Sequence, residues 1–198
     1  MRIIGGKSGG RILKVPKGFD VRPTPDLVKQ AIFNSLGPRV QGATILELFG
    51  GSGALSLESL SRGAAAAVIV EKSGRTARMI RQNFESLELQ PNQLELRAQD
   101  AYIAIAQMAH AARKFDLIFA DPPYGEKNVG KRSESFAQKL LDDPNLPALL
   151  ANDGLFVLGH SKRDTLDLPH GWHERKILKH GDSNIRILER NAAASSHE

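Results

Sequence analysis

The fold is decided by the sequence FDLIFADPPY, which spans residues 115–124. Its first six residues are almost all apolar, as expected for a short parallel strand that is covered on both faces. Pro122 and Pro123 end this strand because neither residue has an N–H group to donate to a neighbouring strand. The stretch therefore predicts a buried strand over Phe115–Ala120 that stops at a stiff corner. In open α/β sheets, ligands bind at this carboxyl edge of the strands.

The corner itself, Asp121-Pro122-Pro123-Tyr124, brings hydrogen-bond acceptors and an aromatic ring together. The Asp121 carboxylate and the Pro122 carbonyl are acceptors, and an amine on a planar ring offers two N–H donors. The ring of Tyr124 provides a face for stacking, which is worth about 1–3 kcal/mol per base in nucleic-acid complexes. The four residues are therefore candidate catalytic residues that hold an exocyclic amine. The alternative is a rigid turn with an exposed tyrosine, since Asp and Pro are common in turns.

A second motif lies earlier in the chain, where a strand, a glycine-rich turn and a helix follow one another. The strand is predicted over Thr44–Phe49, the turn is Gly50-Gly51-Ser52-Gly53, and the helix runs from about Ala54 to Arg62. Glycines permit close approach of the backbone, and the free N–H groups of a helix N-terminus attract negative charge. A further strand ends in Glu71, 18 residues after Gly53 and near the spacing at which a carboxylate binds ribose hydroxyls.

The turn lacks two features of common phosphate-binding sites. The third glycine of the dinucleotide fingerprint is missing, which argues against a dehydrogenase. No Lys-Ser or Lys-Thr pair follows Gly53, which argues against a nucleotide triphosphatase. A cofactor with adenosine but no phosphate fits better, and S-adenosyl-L-methionine (SAM) has this composition. Glu71 would bind its ribose, and Asp100, at the end of a third predicted strand, would bind its adenine amine.

The rest of the chain alternates between strands and helices, which predicts an α/β fold with a mostly parallel sheet. A glycine-rich hairpin is predicted in residues 1–22, followed by a helix that Thr24 caps and Gly37 ends. An antiparallel strand pair is predicted at 172–179 and 183–190, and a frayed tail at 191–198. The other predicted elements are helices at 73–87, 102–113 and 133–141 and strands at 67–70, 94–98 and 155–158.

The positive charge is concentrated in the first segment. Residues 1–29 carry seven basic and two acidic side chains, and residues 30–198 carry twenty of each, so that the net charge of +5 belongs to residues 1–29. A basic segment on a neutral body predicts a polyanionic partner, nucleic acid first of all, although a solubilising extension is the alternative. Arg75, Arg78 and Arg81 are predicted to form a solvated helix face. The candidate RNA-binding residues are Arg2, Lys7, Arg11, Lys14, Arg22, Lys127, Lys131 and Arg132.

Composition argues against several other classes of protein. The chain has no cysteine, which excludes disulfides and thiolate metal sites, and its six histidines have no metal-ligand spacing. We therefore expect no metal. No apolar run reaches the roughly 18 residues of a membrane span, and the N-terminal residues lack the apolar core of a secretion signal. The expected location is the cytoplasm.

Taken together, the motifs of residues 1–190 resemble one enzyme family. ELFGGSGAL at 47–55, Glu71, Asp100-Ala101 and the Asp121 corner follow the order and spacing of SAM-dependent amino-methyltransferases. Additional matches narrow the resemblance to the bacterial 16S ribosomal RNA guanine-N2 methyltransferase family. Leu27, Gln30 and Gly50 depart from the Arg, Glu and Ala that are usual in that family. The additional matches are RIIGG at 2–6, Gly10-Arg11, Leu13, Arg22-Pro23-Thr24, Phe33-Asn34 and LSRGA at 60–64.

The resemblance implies a class I, Rossmann-like SAM methyltransferase that acts on the N2 amine of a guanine in 16S rRNA of the small ribosomal subunit. It implies a basic RNA-binding extension at 1–22, a methyltransferase domain at 23–190 and a disordered tail at 191–198, in a protein expected to be monomeric. Two alternatives stay open: a DNA amino-methyltransferase acting on adenine N6 or cytosine N4, and a non-catalytic RNA-binding assembly factor. The implied cofactor-binding residues are Glu47, Phe49, Gly50, Gly51, Ser52, Gly53, Glu71, Lys72, Asp100, Ala101 and Asp121.

Overall fold

The structure, a computed structural model, describes residues 1–16, 24–124 and 131–191. The chain divides into two compact units, Met1–Ala104 and Ile105–Glu198. Among the described residues, no helix is both long and apolar enough to cross a membrane. The predicted tail beyond residue 191, the end of the predicted hairpin extension and most of the predicted loop at 125–132 lie outside the described residues.

The first unit alternates helices with three parallel strands. Ile45 of the first strand pairs with Ala67 of the second, and Ala67 pairs with Leu94 of the third. The first two strands are apolar and buried: four of the five residues in each are buried. The elements are α1 (Asp26–Leu36), β1 (Thr44–Leu48), α2 (Ala54–Ser61), β2 (Ala66–Val70), α3 (Gly74–Glu85), β3 (Leu94–Arg97) and α4 (Ala101–His110), the last of which continues into the second unit.

The second unit holds four further strands and one helix. Its elements are β4 (Phe115–Ala120), α5 (Phe136–Asp142), β5 (Leu150–Ser161), β6 (Trp172–His180) and β7 (Ser183–Arg190). β4 and β5 are parallel, whereas β7 is antiparallel to both β5 and β6. The strand order is β3-β2-β1 in the first unit and β4-β5-β7-β6 in the second. The predicted α/β fold with a mostly parallel sheet and a C-terminal antiparallel pair is confirmed.

Several helix and strand boundaries differ from the prediction, among them the start of α1 and the start of β5. Pro25, rather than Thr24, is the N-cap residue of α1, and it makes no side-chain capping hydrogen bond. β5 has twelve residues instead of the predicted four, because its first half includes the polar and exposed pair Asn152-Asp153. Pairing with a neighbouring strand, and not apolar character, defines the start of this strand.

The N-terminal segment of residues 1–16 packs on the first unit instead of extending as a free arm. Its hairpin is held by one antiparallel bridge between Arg2 and Ile12, not by two paired strands. Ile3 is fully buried and Leu13 is 2% exposed, so both belong to the core. This part of the predicted basic extension therefore contributes to the stability of the unit as well as to its charge.

A buried ion pair ties the same segment to α1 and α2. Lys29 and Glu58 are both fully buried, and their Nζ and Oε2 atoms lie 3.8 Å apart. Glu58 also accepts hydrogen bonds from the backbone N–H of Ile4, at 2.8 Å, and from Nε of Arg62, at 2.8 Å. Lys29 donates to the carbonyl oxygen of Arg2. Each buried charge is therefore paired and hydrogen-bonded, as burial of a charge requires.

Candidate functional site

The glycine-rich turn after β1 has a tightly folded backbone. Phe49, Gly51 and Gly53 have φ angles of 57°, 54° and 74°, a region that glycine adopts readily and other residues rarely do. The N–H of Gly53 donates to the carbonyl of Gly50 at 2.7 Å and closes the turn. A Cβ atom on Gly50 would lie 2.4 Å from Cγ2 of Ile69. Gly50 thus lets the turn pack directly on β2.

Glu71, at the end of β2, holds this turn. One carboxylate oxygen accepts a hydrogen bond from the N–H of Gly51 at 2.9 Å, and the other accepts from the N–H of Ser73 at 2.8 Å. A carboxylate oxygen has two lone pairs, so that each can still accept from a ribose hydroxyl. A Cβ atom added to Gly51 would meet one atom within 4 Å, at 3.8 Å, which leaves open space over the turn. The turn and the carboxylate therefore fit an adenosine-type cofactor.

The other predicted cofactor-binding residues of the first unit lie at the same ends of strands. Oε2 of Glu47 accepts from the N–H of Ser56, in the first turn of α2. Asp100 caps α4 by accepting from the N–H of Tyr102 at 3.0 Å, and Nζ of Lys72 lies 3.3 Å from its other oxygen. The exposed pair with Lys72 contributes little to stability, since exposed ion pairs are worth about 0–1 kcal/mol.

Asn83 of α3, which is not among the residues predicted from the sequence, also supports the turn. Its side chain is 2% exposed and donates to the carbonyl of Ser52 at 3.0 Å. The same amide donates to the carbonyl of Lys14 at 3.0 Å and accepts from the N–H of Lys14 at 2.8 Å. The hydroxyl of Ser52 lies 3.3 Å from the sulfur of Met1. One buried amide therefore connects the glycine-rich turn with the N-terminal segment.

In the second unit, β4 ends as predicted and Asp121 begins the corner. Asp121 is half-buried, Pro122 is buried, and Pro123 and Tyr124 are exposed. The Asp121 carboxylate lies directly over Gly159 of β5, where a Cβ atom would be 2.4 Å from Oδ1 and 3.0 Å from Cγ. Only a glycine leaves room for the carboxylate in this position. Glycine inside a strand is the signal that could have identified this contact.

The side chain of Tyr124 is held by Ser183 of β7. The residue is 46% exposed, while its hydroxyl lies 2.7 Å from the Oγ atom of Ser183, the first residue of β7. Ser183 pairs with Ser161 of β5, two residues after Gly159, and therefore faces the same side of the sheet as that glycine. The corner thus presents an aromatic face to solvent while its hydroxyl is bound.

Beside this corner, β5 and β7 bury a polar cluster. His160 is 2% exposed, and its Nε2 atom accepts from Nε of Arg186 at 3.3 Å. Burial, followed by the positive charge of Arg186, lowers the pKa of His160 below its usual value, although Asp164 opposes the shift. Nδ1 of His160, Oδ1 of Asp164 and Oδ1 of Asn184 have no hydrogen-bond partner among the described residues.

Most of the candidate RNA-binding residues form contacts within their own unit. Arg2 pairs with Asp26, Arg11 with Glu88, and Arg132 with both Asp142 and Asp167. Nζ of Lys14 donates to Gln82, and Lys7 and Lys131 are exposed. Arg22 and Lys127 lie outside the described residues. In the part of the chain that the structure describes, no group of His, Asp or Glu residues could hold a metal ion.

Comparisons with known proteins agree with the resemblance of the motifs. A family model described as "Conserved hypothetical protein 95" matches residues 1–189. "Ribosomal RNA small subunit methyltransferase D" of Haemophilus influenzae is 35% identical over 96% of this chain and 93% of its own length. The protein of the same name in Escherichia coli K12 is 32% identical over 99% of this chain and 93% of its own.

A solved structure shares the fold over nearly the whole chain. A hypothetical protein of Thermus thermophilus has a TM-score of 0.78 and 29% sequence identity, over 96% of this chain and 99% of that one. Both units of the chain therefore have counterparts in this protein.

Proposed function

Since the chain belongs to the family described as conserved hypothetical protein 95, we propose that it is a SAM-dependent methyltransferase of small-subunit ribosomal RNA that acts on a guanine N2 amine. The relatives named above support rRNA as the substrate class. We place the protein in the cytoplasm, as a monomer, because its proposed substrate is there and because the proposed site draws on one chain.

The residues of the first unit would hold the cofactor. Glu71 would accept hydrogen bonds from the ribose, Asp100 would accept from the adenine amine, and the turn Gly50–Gly53 would lie against the rest of the molecule. When bound, SAM supplies a methyl group on a positively charged sulfur, which leaves as a neutral thioether. The turn needs no rearrangement for this role, because Glu71 and Asn83 already fix its backbone.

The observation that carries the proposal is the geometry of the corner at the end of β4. Asp121 is seated over Gly159, and the Pro122 carbonyl, which belongs to the next residue, is a second acceptor. A guanine N2 amine is a poor nucleophile because its lone pair is delocalised into the ring. Two acceptors on its two hydrogens would localise that lone pair on nitrogen and orient it for in-line transfer.

The proton balance assigns a second role to Asp121. Transfer of the methyl group leaves the nitrogen with one proton too many, and Asp121 is the carboxylate of the corner that is able to accept it. The amine is paired inside a helix, so the guanine must be unpaired or flipped out before it reacts. The exposed ring of Tyr124, held through its hydroxyl by Ser183, would then stack on the base.

Methyl transfer from tritium-labelled SAM to ribosomal RNA that lacks the modification tests this function. We expect label in 16S rRNA, recovered as N2-methylguanosine after digestion to nucleosides. Asp121→Asn should reduce the rate by at least roughly 100-fold, as expected for loss of a catalytic base, while SAM affinity measured by calorimetry stays unchanged. A parallel loss of SAM affinity would instead assign Asp121 to the cofactor or to the fold.

The alternative functions are distinct outcomes of the same assay. Label in DNA, as N6-methyladenine or N4-methylcytosine, would identify a DNA amino-methyltransferase. RNA binding without transfer of label to any substrate would identify a non-catalytic assembly factor. Label in RNA at a position other than guanine N2 would retain the substrate class and refute the proposed base.

A further inference from the structure

One face of α3 carries three exposed arginines. Arg75, Arg78 and Arg81 follow at intervals of three residues, so that they cover an arc of roughly 120° and roughly 9 Å of the helix axis. Ile80 and Phe84 are buried on the opposite face. No side chain among the described residues forms a salt bridge with any of the three arginines. Their charges are therefore not neutralised within the first unit.

The N-terminal segment adds a fourth cation to the same face. Nζ of Lys14 donates to Oε1 of Gln82 at 3.0 Å, and Gln82 lies between Arg75 and Arg78 around the helix axis. The backbone of Lys14 is held by the two hydrogen bonds to Asn83. The packing of the segment on α3 thus fixes where this lysine lies. The sequence alone does not connect Lys14 with a helix that begins 60 residues later.

Acidic residues at the end of α3 offset only part of this charge. Glu85 and Glu88 are exposed there, and Oε1 of Glu88 lies 3.1 Å from a guanidinium nitrogen of Arg11. With Arg11 and Lys14, the three arginines make five basic side chains, against the two acidic side chains of Glu85 and Glu88. The sequence predicts that the three arginines form a solvated helix face. The position of Lys14 makes them part of a larger basic surface.

We propose that the α3 basic face, formed by Arg75, Arg78, Arg81 and Lys14, binds the phosphate groups of the RNA substrate. The inference rests on the proposed function and identifies the surface that holds the substrate. A guanidinium group donates two parallel hydrogen bonds to the oxygens of a phosphate group. A protein surface without carboxylates offers no comparable pair of anionic acceptors. One strand of a duplex carries a charge about every 3.4 Å along its axis, so that roughly 9 Å of helix spans two or three phosphates.

The dependence of RNA affinity on salt tests the proposal. The triple variant R75Q/R78Q/R81Q keeps good helix-forming residues and removes three charges. With a fragment of unmodified 16S rRNA as the probe, each lost phosphate contact should lower the slope of log affinity against log salt by about 0.7–0.9. Three contacts should therefore lower it by about 2–3, so that the loss of affinity between 50 and 200 mM salt becomes roughly 20- to 40-fold smaller.

A matched control removes the same charge elsewhere. Lys162, Arg163 and Lys179 of the second unit are exposed and form no salt bridge with a described residue. The variant K162Q/R163Q/K179Q should therefore retain the parent slope. Equal slopes for the parent and the α3 variant would overturn the proposal, and so would an equal decrease in the control, which would indicate general attraction by net charge. Calorimetry with SAM verifies that both variants are folded.

Failure of this proposal is distinguishable from failure of the proposed function. If the parent methylates 16S rRNA and the α3 variant keeps the parent slope, the enzyme is as proposed and its RNA lies on another surface. If the parent transfers no label but its slope falls in the α3 variant, the surface binds RNA and the function is wrong. Retained RNA affinity with loss of binding to a protein would assign the face to a protein partner and overturn the proposal.

Discussion

At the scale of single residues, the position of Asp121 depends on the absence of a side chain opposite it. A Cβ atom on Gly159 would come within 2.4 Å of the carboxylate, which would have to move. The same corner depends on Ser183 for the position of the Tyr124 hydroxyl. Gly159 of β5 and Ser183 of β7 therefore decide where the carboxylate and the aromatic side chain of the corner lie.

Gly159→Ala should lower the rate of methyl transfer while leaving SAM affinity unchanged. A displacement of about 1 Å of a reacting group costs on the order of 100-fold in rate, and this is the size of the effect that we expect on kcat. Steady-state kinetics with saturating SAM and 16S rRNA measures it. Gly171→Ala is the matched control, because a Cβ atom there would meet no atom within 4 Å. An unchanged kcat in Gly159→Ala would show that the carboxylate adapts freely.

At the scale of elements, α3 connects the glycine-rich turn with the N-terminal segment through one amide. Asn83 makes three hydrogen bonds, two with Lys14 and one with Ser52. The helix therefore supports the proposed cofactor site, although none of its residues is a predicted ligand of the cofactor.

Asn83→Ala should lower the free energy of unfolding by about 2–3 kcal/mol, because it leaves the buried carbonyl of Ser52 and part-buried backbone groups of Lys14 without this partner. It should also weaken SAM binding through the loosened turn. Urea denaturation and calorimetry measure the two effects. Asn34→Ala removes an exposed amide whose partner among the described residues is Gln30 of the same helix, and it should change stability by less than about 0.5 kcal/mol. Similar values for the two variants would contradict the role of Asn83.

The elements that could be predicted from the sequence are those that local composition defines. β4 is confirmed at Phe115–Ala120 because an apolar run ends there at two prolines. The start of β5 was not predicted, because Leu150 pairs with Phe115 and an irregular stretch with the polar residues Asn152 and Asp153 separates it from the apolar run. Local patterns carry no information about partners that are distant in the chain, and such partners decide the beginning of this strand.

The same limit applies to the candidate site. The turn Gly50–Gly53 and Glu71 could be identified because their spacing is local and characteristic. Asn83 and Ser183 could not, since each acts on a residue at least 31 positions away. Gly159 carries a local signal, a glycine inside a strand, but its partner Asp121 is distant in the chain. The basic segment was predicted as an extension because its charge is visible in the sequence, whereas the burial of Ile3 and Leu13 is a property of the folded unit.

At the scale of the whole molecule, stability should decrease in weak acid because of His160. Burial and the charge of Arg186 lower the pKa of this histidine in the folded state, so that it stays neutral while its unfolded counterpart is protonated. The unfolded state then binds more protons, and the free energy of unfolding falls as the pH drops below about 6.5. The part of the free energy of unfolding that comes from His160 is fully present above that pH, and it is lost as the pH falls toward the lowered pKa.

The expected slope is at most about 1.4 kcal/mol per pH unit for one such group, and denaturation at pH 5–8 measures it. His160→Gln should remove this part of the slope, since glutamine does not titrate. His110→Gln, at an exposed position, should keep the slope of the parent. A His160→Gln variant with the pH dependence of the parent would show that other groups cause the acid sensitivity.

The buried ion pair of Lys29 and Glu58 limits which substitutions these two positions can accept during evolution. Loss of Lys29 leaves the buried Glu58 with Arg62 as a partner, and loss of Glu58 leaves the buried Lys29 with Asp26, so that either single change weakens the pairing of a buried charge and destabilises the protein. Replacement of both by apolar residues of similar volume is often tolerated. The two positions should therefore be inherited as one unit: lineages descended from a common ancestor keep both charges or lose both. Substitutions at positions 29 and 58 are therefore expected to occur together among related sequences.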